Sequence, residues 1–431
     1  TMPTLLQLPN EVLSLIACEL NLRSLLDFRL ASRHLNALSL PAISKRRFKI
    51  RYVMLQQHSL ENLIEISRHR VFGPALETLT ICIEHLTEQP EYGRTIWHWG
   101  DSVRMCHEGD LIPGVPDPSL REGSEEVVVN RPAYERLLED QKCMMESGLN
   151  TTYLTQVIAA FPNLETVVID DAFKPWGATA QERQTGVPMA NGIENLDSIE
   201  FVVQTLRGII LAIAASNISL HELDIAIGGL EGGISPDMLV FPRPVLRYIQ
   251  THPINLTSLC LSVSPRNRIR PNGELVGDLL GFITVFPGLQ RLSLEFNHRD
   301  EHEHFPAISQ TLRLPDLRFL GIDAIQCTES ELVTLLLGHK DSLEEVSFSL
   351  IDIISGGGSW QSLLATMRDE LSIRILTMVN CLSADKDIYY RESGSDGVTY
   401  LKSLEISERQ DWTDAINGIT IGNSGKYGGS G

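Results

Sequence analysis

Apolar residues recur along this chain in two rhythms. From Pro9 onward, Val12, Leu13, Ile16 and Leu20 fall at helical spacing and form one stripe. Leu25, Leu26, Phe28 and Leu30 dominate a second short segment, and Leu35, Leu38 and Leu40 a third. Three short helices are therefore expected between Leu5 and Pro41. Pro9 suits the first turn of the first helix, where its missing N–H would be an orphan anyway, and Asn21 its C-terminal stop. A module of about forty residues cannot hide this many leucines internally. Part of its apolar surface must be covered by another chain or by the domain that follows.

Further along, the spacing becomes that of short strands. The pattern L-x-x-L-x-L, with Ile, Val, Met or Phe as equivalents, starts at Leu76, Leu164, Leu220, Leu256, Leu289, Leu317, Leu343, Ile373 and Leu401. The last six steps between starts average about 30 residues, close to the length of a leucine-rich repeat. Apolar helical segments lie between, at Tyr153–Phe161, Val202–Ser216, Leu275–Phe286, Leu332–Leu337 and Trp360–Leu371. Thr328 and Glu331 make a capping box at the start of one of them. Pro162, Pro253 and Pro287 fall after helices and before strands, where they stop a helix without removing a strand donor.

The expected fold class is α/β: a small N-terminal three-helix module, then an irregular leucine-rich-repeat-like solenoid with long loop excursions. The expected boundaries are 1–50 for the helical module and 51–84 for a linker helix and first repeat strand. An insertion follows at 85–150, the solenoid at 151–410 and a flexible tail at 411–431. The insertion is expected to be loop-like except at Ala133–Ser147, and Asp171–Asn195 reads as a second long loop. A conventional α/β domain, the alternative, would pair its strands out of chain order.

Charge and composition narrow the picture. The 431 residues carry 36 Lys and Arg against 55 Asp and Glu, a formal net charge of −19. That excess repels phosphate backbones, so no nucleic-acid partner is expected. One basic island, Lys45, Arg46, Arg47, Lys49 and Arg51, reads as a solvated helix face or link. The longest apolar-rich stretch, Gly208 to Ala215, is too short to span a bilayer, and no membrane partner is expected. Seven scattered cysteines without a C-x-x-C, and no secretory signal pattern, fit a reducing cytoplasm or nucleus.

Catalytic motifs fail when tested. A phosphate loop ending at Lys426 would need Gly at 420 and Ser or Thr at 427, where Thr420 and Tyr427 stand. No G-x-S-x-G or H-E-x-x-H occurs. His298, His302 and His304, with Asp300, Glu301 and Glu303, have ligand chemistry, but a polar loop after the Leu289 strand accounts for them more simply. The spacing of His98, Cys106 and His107 matches no metal site. No cofactor and no metal are expected.

The ordered set Leu8, Pro9, Glu11, Val12, Leu13, Ile16, Leu20, Ser24, Leu25, Leu26, Phe28, Arg29, Leu30, Ser32 and Arg33 resembles the F-box of many fungal proteins. Many animal F-boxes carry Cys-Lys-x-Trp near the end of the second helix. Here Ala31-Ser32-Arg33-His34 stands, the Ser-Arg version common in fungal relatives. The run R-P-A-Y-E-x-L to F-P-N-L-E-x-V, then G-I-x-N-L, is similar to the layout of fungal F-box proteins too.

The resemblance implies docking on a Skp-type adaptor and, through it, a cullin. The implied adaptor contacts are Leu8, Pro9, Ile16, Leu20, Leu25 and Leu26, with Glu11 and Arg29 near the edge and Val12, Leu13, Phe28 and Leu30 in the same motif. It implies a non-catalytic substrate receptor of a ubiquitin ligase, which contributes proximity rather than chemistry. A leucine-rich scaffold bound to the adaptor outside any ligase fits the same residues.

A protein substrate would meet the residues flanking the fourth position of each strand motif. These are Thr166 and Val168, Glu222 and Asp224, Ser258 and Cys260, Arg291 and Ser293, Phe319 and Gly321, and Glu345 and Ser347. Trp97, Trp99 and Trp176, in the long excursions, are further anchor candidates.

Overall fold

The computed structural model describes residues 5–88, 130–171, 177–186, 189, 196–227, 233–264, 270, 274–296, 303–394, 397–407 and 409–422. Trp97, Trp99, Trp176, His98, Cys106, His107, His298, Asp300, Glu301 and His302 lie outside them.

Helices α1 (Asn10–Glu19), α2 (Leu22–Ala31) and α3 (Arg33–Arg47) pack around Leu13, Ala17, Leu25, Phe28, Leu35, Ala42 and Ile43. Asn21 opens α2 instead of closing α1. Its Oδ1 accepts from the Ser24 amide at 2.9 Å, as Ser32 Oγ accepts from Leu35 at 3.1 Å to open α3. The end of α1 is served by Arg46, whose guanidinium donates to the Cys18 and Leu20 carbonyls. α3 runs beyond Leu40, through Pro41, to a last turn of Lys45, Arg46 and Arg47, where positive charge suits the helix dipole.

Strands and helices then alternate. β1 (Ile50–Met54), α4 (Gln57–Arg68) and β2 (Thr78–Cys82) come first, then α5 (Arg131–Glu146), α6 (Leu149–Ala160) and β3 (Thr166–Asp170). Next are α7 (Ala178–Thr185), α8 (Leu196–Ser216), β4 (Glu222–Ala226), α9 (Arg243–Thr251), β5 (Ser258–Val263), α10 (Leu275–Ile283) and β6 (Arg291–Phe296). α11 (Phe305–Thr311), β7 (Phe319–Asp323), β8 (Gln326–Cys327), α12 (Glu329–Leu337), β9 (Glu345–Ser349), β10 (Asp352–Ile353) and α13 (Trp360–Glu370) follow. The last described elements are β11 (Ile375–Val379), β12 (Leu382–Ser383), β13 (Lys386–Gly394), β14 (Gly397–Leu401), β15 (Ser403–Ile406), α14 (Arg409–Gly418) and β16 (Ile419–Gly422).

The protein is mixed α/β with a large, mostly parallel sheet. Ten strands stand in chain order, β1-β2-β3-β4-β5-β6-β7-β9-β11-β15, and all their pairings are parallel except that of β11 with β15. Each of the nine L-x-x-L-x-L segments supplies one strand. Register explains the motif: Leu79, Val167, Leu223, Leu259, Leu292, Leu320, Val346 and Leu376 form one unbroken buried row. Alternation puts them all on one face, and helices cover it, α6 packed beside α4 and α8, and α12 beside α11 and α13. The apolar stretch Ser198–Ser216 of α8 is long and apolar enough to cross a membrane by length and composition alone. It lies 67% buried within this core.

β8, β10 and β12 form a second, narrow ladder extended by β13 and β14. Residues with left-handed backbone lead into it after β7, β9 and β11: Ala324 (φ 56°), Leu350 (φ 53°) and Asn380 (φ 49°). Each is followed by a fully buried residue, Ile325, Ile351 or Cys381.

Three expectations need correction. The tail expected at 411–431 begins with folded chain: β16 pairs with β13, and Trp412, Ala415 and Ile419 are buried. The strand at Leu401–Ile406 returns antiparallel, because β13 and β14 turn the chain back before it. Within Asp171–Asn195, α7 is helical although it has no apolar stripe. It is held by Gln56 Nε2, which donates to Gln181 Oε1, and by the Thr185 carbonyl, which accepts from Asn130 N at 2.8 Å. In the 85–150 stretch α5 is docked on β2's continuation: Tyr134 Oη donates to the Thr87 carbonyl (2.7 Å), and Gln141 bonds both backbone groups of Leu86 (2.9 Å each).

Candidate functional site

Two surfaces hold the residues singled out from the sequence. The first is the outside of the three-helix module. Leu13 and Leu25 are fully buried and Phe28 is 9% exposed, so these three build the module's own core and offer no free contact surface. Leu8, Ile16 and Leu20 are half-buried at the rim of that core. Arg29 is half-buried and its Nε donates to Asn36 Oδ1 at 3.2 Å.

Pro9, Glu11, Val12, Leu26 and Leu30 point outward, Leu30 being 79% exposed. Leu15, 66% exposed, joins them. It lies three residues from Val12, the spacing that puts two side chains on one helix face. It falls off the buried stripe of α1, so apolar periodicity does not mark it. Val12 and Leu15 on α1, and Leu26 and Leu30 on α2, thus form two exposed apolar pairs, one on each helix.

Three residues of the basic island make contacts within the chain. Besides the α1 cap made by Arg46, Lys49 Nζ lies 3.0 Å from Glu77 Oε2, and the Arg51 guanidinium carbon lies 5.0 Å from the Phe48 ring centre. Burial and the neighbouring Arg47 hold Arg51 below the usual guanidinium range.

The second surface is the sheet face opposite the helices. Thr166, Glu222, Ser258, Arg291, Phe319 and Glu345 share one register row, and Val168, Asp224, Cys260, Ser293, Gly321 and Ser347 the row two residues on. The predicted substrate-facing residues therefore do converge on one surface. Arg291 is engaged there: its Nη1 lies 3.0 Å from Glu345 Oε2, and its guanidinium carbon 4.0 Å from the Phe319 ring centre. Phe319 in turn leans over Gly321, where an added Cβ would come within 3.3 Å of the ring and 2.8 Å of Ser293 Oγ.

A third row continues the face with Asp170 on β3, Glu295 on β6 and Asp323 on β7. The six-residue motif ends one position before this row, so the repeat pattern does not mark it. Ser262 Oγ donates to Glu295 Oε2 at 2.7 Å. Apart from Arg291, the charged side chains of the three rows are carboxylates. Burial, with Asp224 and Glu295 nearby, pushes Cys260 well above the usual thiol range. Burial likewise raises Cys82 and Cys327, and Cys381 to about 12.

Among the described residues, no three His, Cys, Asp or Glu side chains are grouped to hold a metal ion. No family model matches the chain, and no curated protein matches its sequence.

Proposed function

We propose that this chain is the substrate-recognition subunit of a Skp–cullin–F-box ubiquitin ligase. In this reading α1–α3 are the F-box, and the sequential sheet is an irregular leucine-rich-repeat-like solenoid. The observation that carries it is the division of leucines in the first two helices. Leu13 and Leu25 close a small core while Val12, Leu15, Leu26 and Leu30 are left outside it. Exposed leucines at helical spacing on a chain of net charge −19 suit a surface that another protein covers. Strand pairing in chain order supports the solenoid, since each repeat then needs only its neighbours to bury its apolar face. The F-box binds the Skp adaptor, the adaptor the cullin, and the half-buried sheet face opposite the helices receives the substrate in the cytoplasm or nucleus.

The test is co-purification with a Skp-type adaptor. Leu26→Asp combined with Leu30→Asp changes two positions outside the module's core cluster, and is expected to abolish binding while circular dichroism shows the chain still folded. Undiminished binding by that variant, or no binding by the unsubstituted chain, overturns the reading. Adding cullin to the bound pair then separates a ligase subunit, which forms the ternary complex, from a scaffold, which does not.

A further inference from the structure

The covalent link between the three-helix module and the sheet is short: α3 ends at Arg47 and β1 begins at Ile50. A single link of that kind leaves a hinge. Here the chain returns to the module a second time. After β1 and α4, whose Val53, Leu60 and Leu63 belong to the large core, Phe72 packs against the module's core beside Phe48. The two rings stack with centres 4.0 Å apart and planes 5° from parallel.

Each side of this stack is held. His69 stacks on Phe72 at 4.1 Å, and its Nδ1 accepts from the amides of Val71 (3.3 Å) and Phe72 (3.2 Å). Ser44 Oγ, on α3, donates to the Val71 carbonyl at 3.0 Å. Arg51, on β1, lies against Phe48 as described. The return path is also narrow. Gly73 N donates to the His69 carbonyl at 2.8 Å, and a Cβ at Gly73 would stand 2.3 Å from the Ser67 carbonyl oxygen. Only glycine allows the chain past the end of α4 on this route, and the route delivers Phe72 to its place.

We infer that the His69–Phe72–Phe48–Arg51 array is a rigid joint that fixes the orientation of the three-helix module relative to the sheet. Two attachment points, one on each side of β1 and α4, resist bending that one would permit. The joint is independent of which partner the module binds. For any partner, it holds the sheet face opposite the helices at one angle to the module's exposed leucines.

The experiment uses two thiols already placed on the two bodies. Cys18 on α1 and Cys143 on α5 are exposed. They take spin labels in the full chain carrying Cys106→Ser and Cys260→Ser, and pulsed dipolar spectroscopy reads the distance between them. The expected result is one narrow distribution, broadened about twofold or more by Phe48→Leu or Phe72→Leu as the two bodies begin to move collectively. Phe72→Tyr, which keeps the stack, stays narrow. His69→Ala removes the amide acceptor without entering the core and broadens the distribution too, which serves if the leucine variants do not fold. Unchanged widths in all folded variants, or a broad distribution in the unsubstituted chain, overturn the inference.

Discussion

Arg291 reaches across the whole of the neighbouring strand to Glu345, its Nη1 3.0 Å from Oε2, with the Phe319 ring of the crossed strand beneath it. Both charged side chains are partly exposed, at 42% and 33%. A double-mutant cycle with Arg291→Ala and Glu345→Ala, read by urea unfolding, is expected to give a coupling of about 0.5–1 kcal/mol that shrinks in high salt. The aromatic contact should survive salt better than the ion pair. Phe319→Ala is therefore expected to lower stability further than Glu345→Ala and with less salt dependence. A salt-independent coupling between Arg291 and Glu345 would contradict this picture.

Two histidines are buried neutral. His85 is 2% exposed, with Nε2 2.8 Å from Ser198 Oγ and Nδ1 3.0 Å from the Ile83 carbonyl. His339 is 3% exposed; its Nε2 accepts from Leu314 N at 3.2 Å, so its Nδ1 donates to the Leu335 carbonyl at 2.9 Å. Burial lowers both below the usual imidazole value, and Arg313 lowers His339 further. The unfolded chain takes up protons near pH 6.5 where the folded chain does not, so stability is fully present above that pH and falls below it. Each histidine contributes at most about 1.4 kcal/mol per pH unit to the slope. Denaturant unfolding at pH 7.5 and 5.5 should show the loss, and His339→Gln should reduce it. Equal slopes in the two chains would remove His339 from the account.

Asp352 behaves in the opposite sense. Its carboxylate is 1% exposed and accepts from the Asp385 amide (3.3 and 3.2 Å) and from Gln326 Nε2 (3.2 Å). Burial raises it above the ordinary carboxylate value, and the Asp385 carboxylate adds to the rise. The folded chain then binds more protons than the unfolded one between the two values, so stability falls as pH climbs through that window and stays reduced above it. Asp352→Asn removes the buried charge and keeps an acceptor for the Asp385 amide. It is expected to be more stable than the native chain at pH 7, with the advantage vanishing toward acid pH. A less stable variant at pH 7 would show that the carboxylate's hydrogen bonds outweigh its burial.

Trp360 anchors α13 to the second ladder through Nε1–H, which donates to the Leu382 carbonyl at 2.7 Å from a site 1% exposed. Trp360→Phe both vacates volume and leaves that carbonyl without its donor. Thermal or urea unfolding should register a loss of about 2–4 kcal/mol. A loss below about 1 kcal/mol would mean the site refills with water or relaxes.

What the sequence revealed follows from how burial is distributed. Each long repeat strand carries two core-facing apolar residues at fixed spacing, such as Leu292 and Leu294, and that pattern is visible without a structure. β1 was missed because its inward positions are Arg51 and Val53, at the edge of the basic island. β8, β10 and β12 are two residues long and leave no periodicity to detect. In the helical module, periodicity located the helices but not their rotation. Leu25 and Leu26 are adjacent, and only packing against α3 decides that the first is buried and the second exposed. The outward sheet face was legible as far as the repeat motif extends, and its third row was lost beyond the motif's last letter.

The return of β15 against β11 has a consequence for the molecule as a whole. A parallel sheet in chain order ends on an edge that another copy's first strand could extend, and repeated head-to-tail addition would produce fibres. Here the last strand is four residues long, runs backwards, and has Lys402, Ser403 and Glu405 exposed along or beside it. A strand so short and polar is a poor template. The last edge of the sheet thereby gives another copy's first strand little to extend.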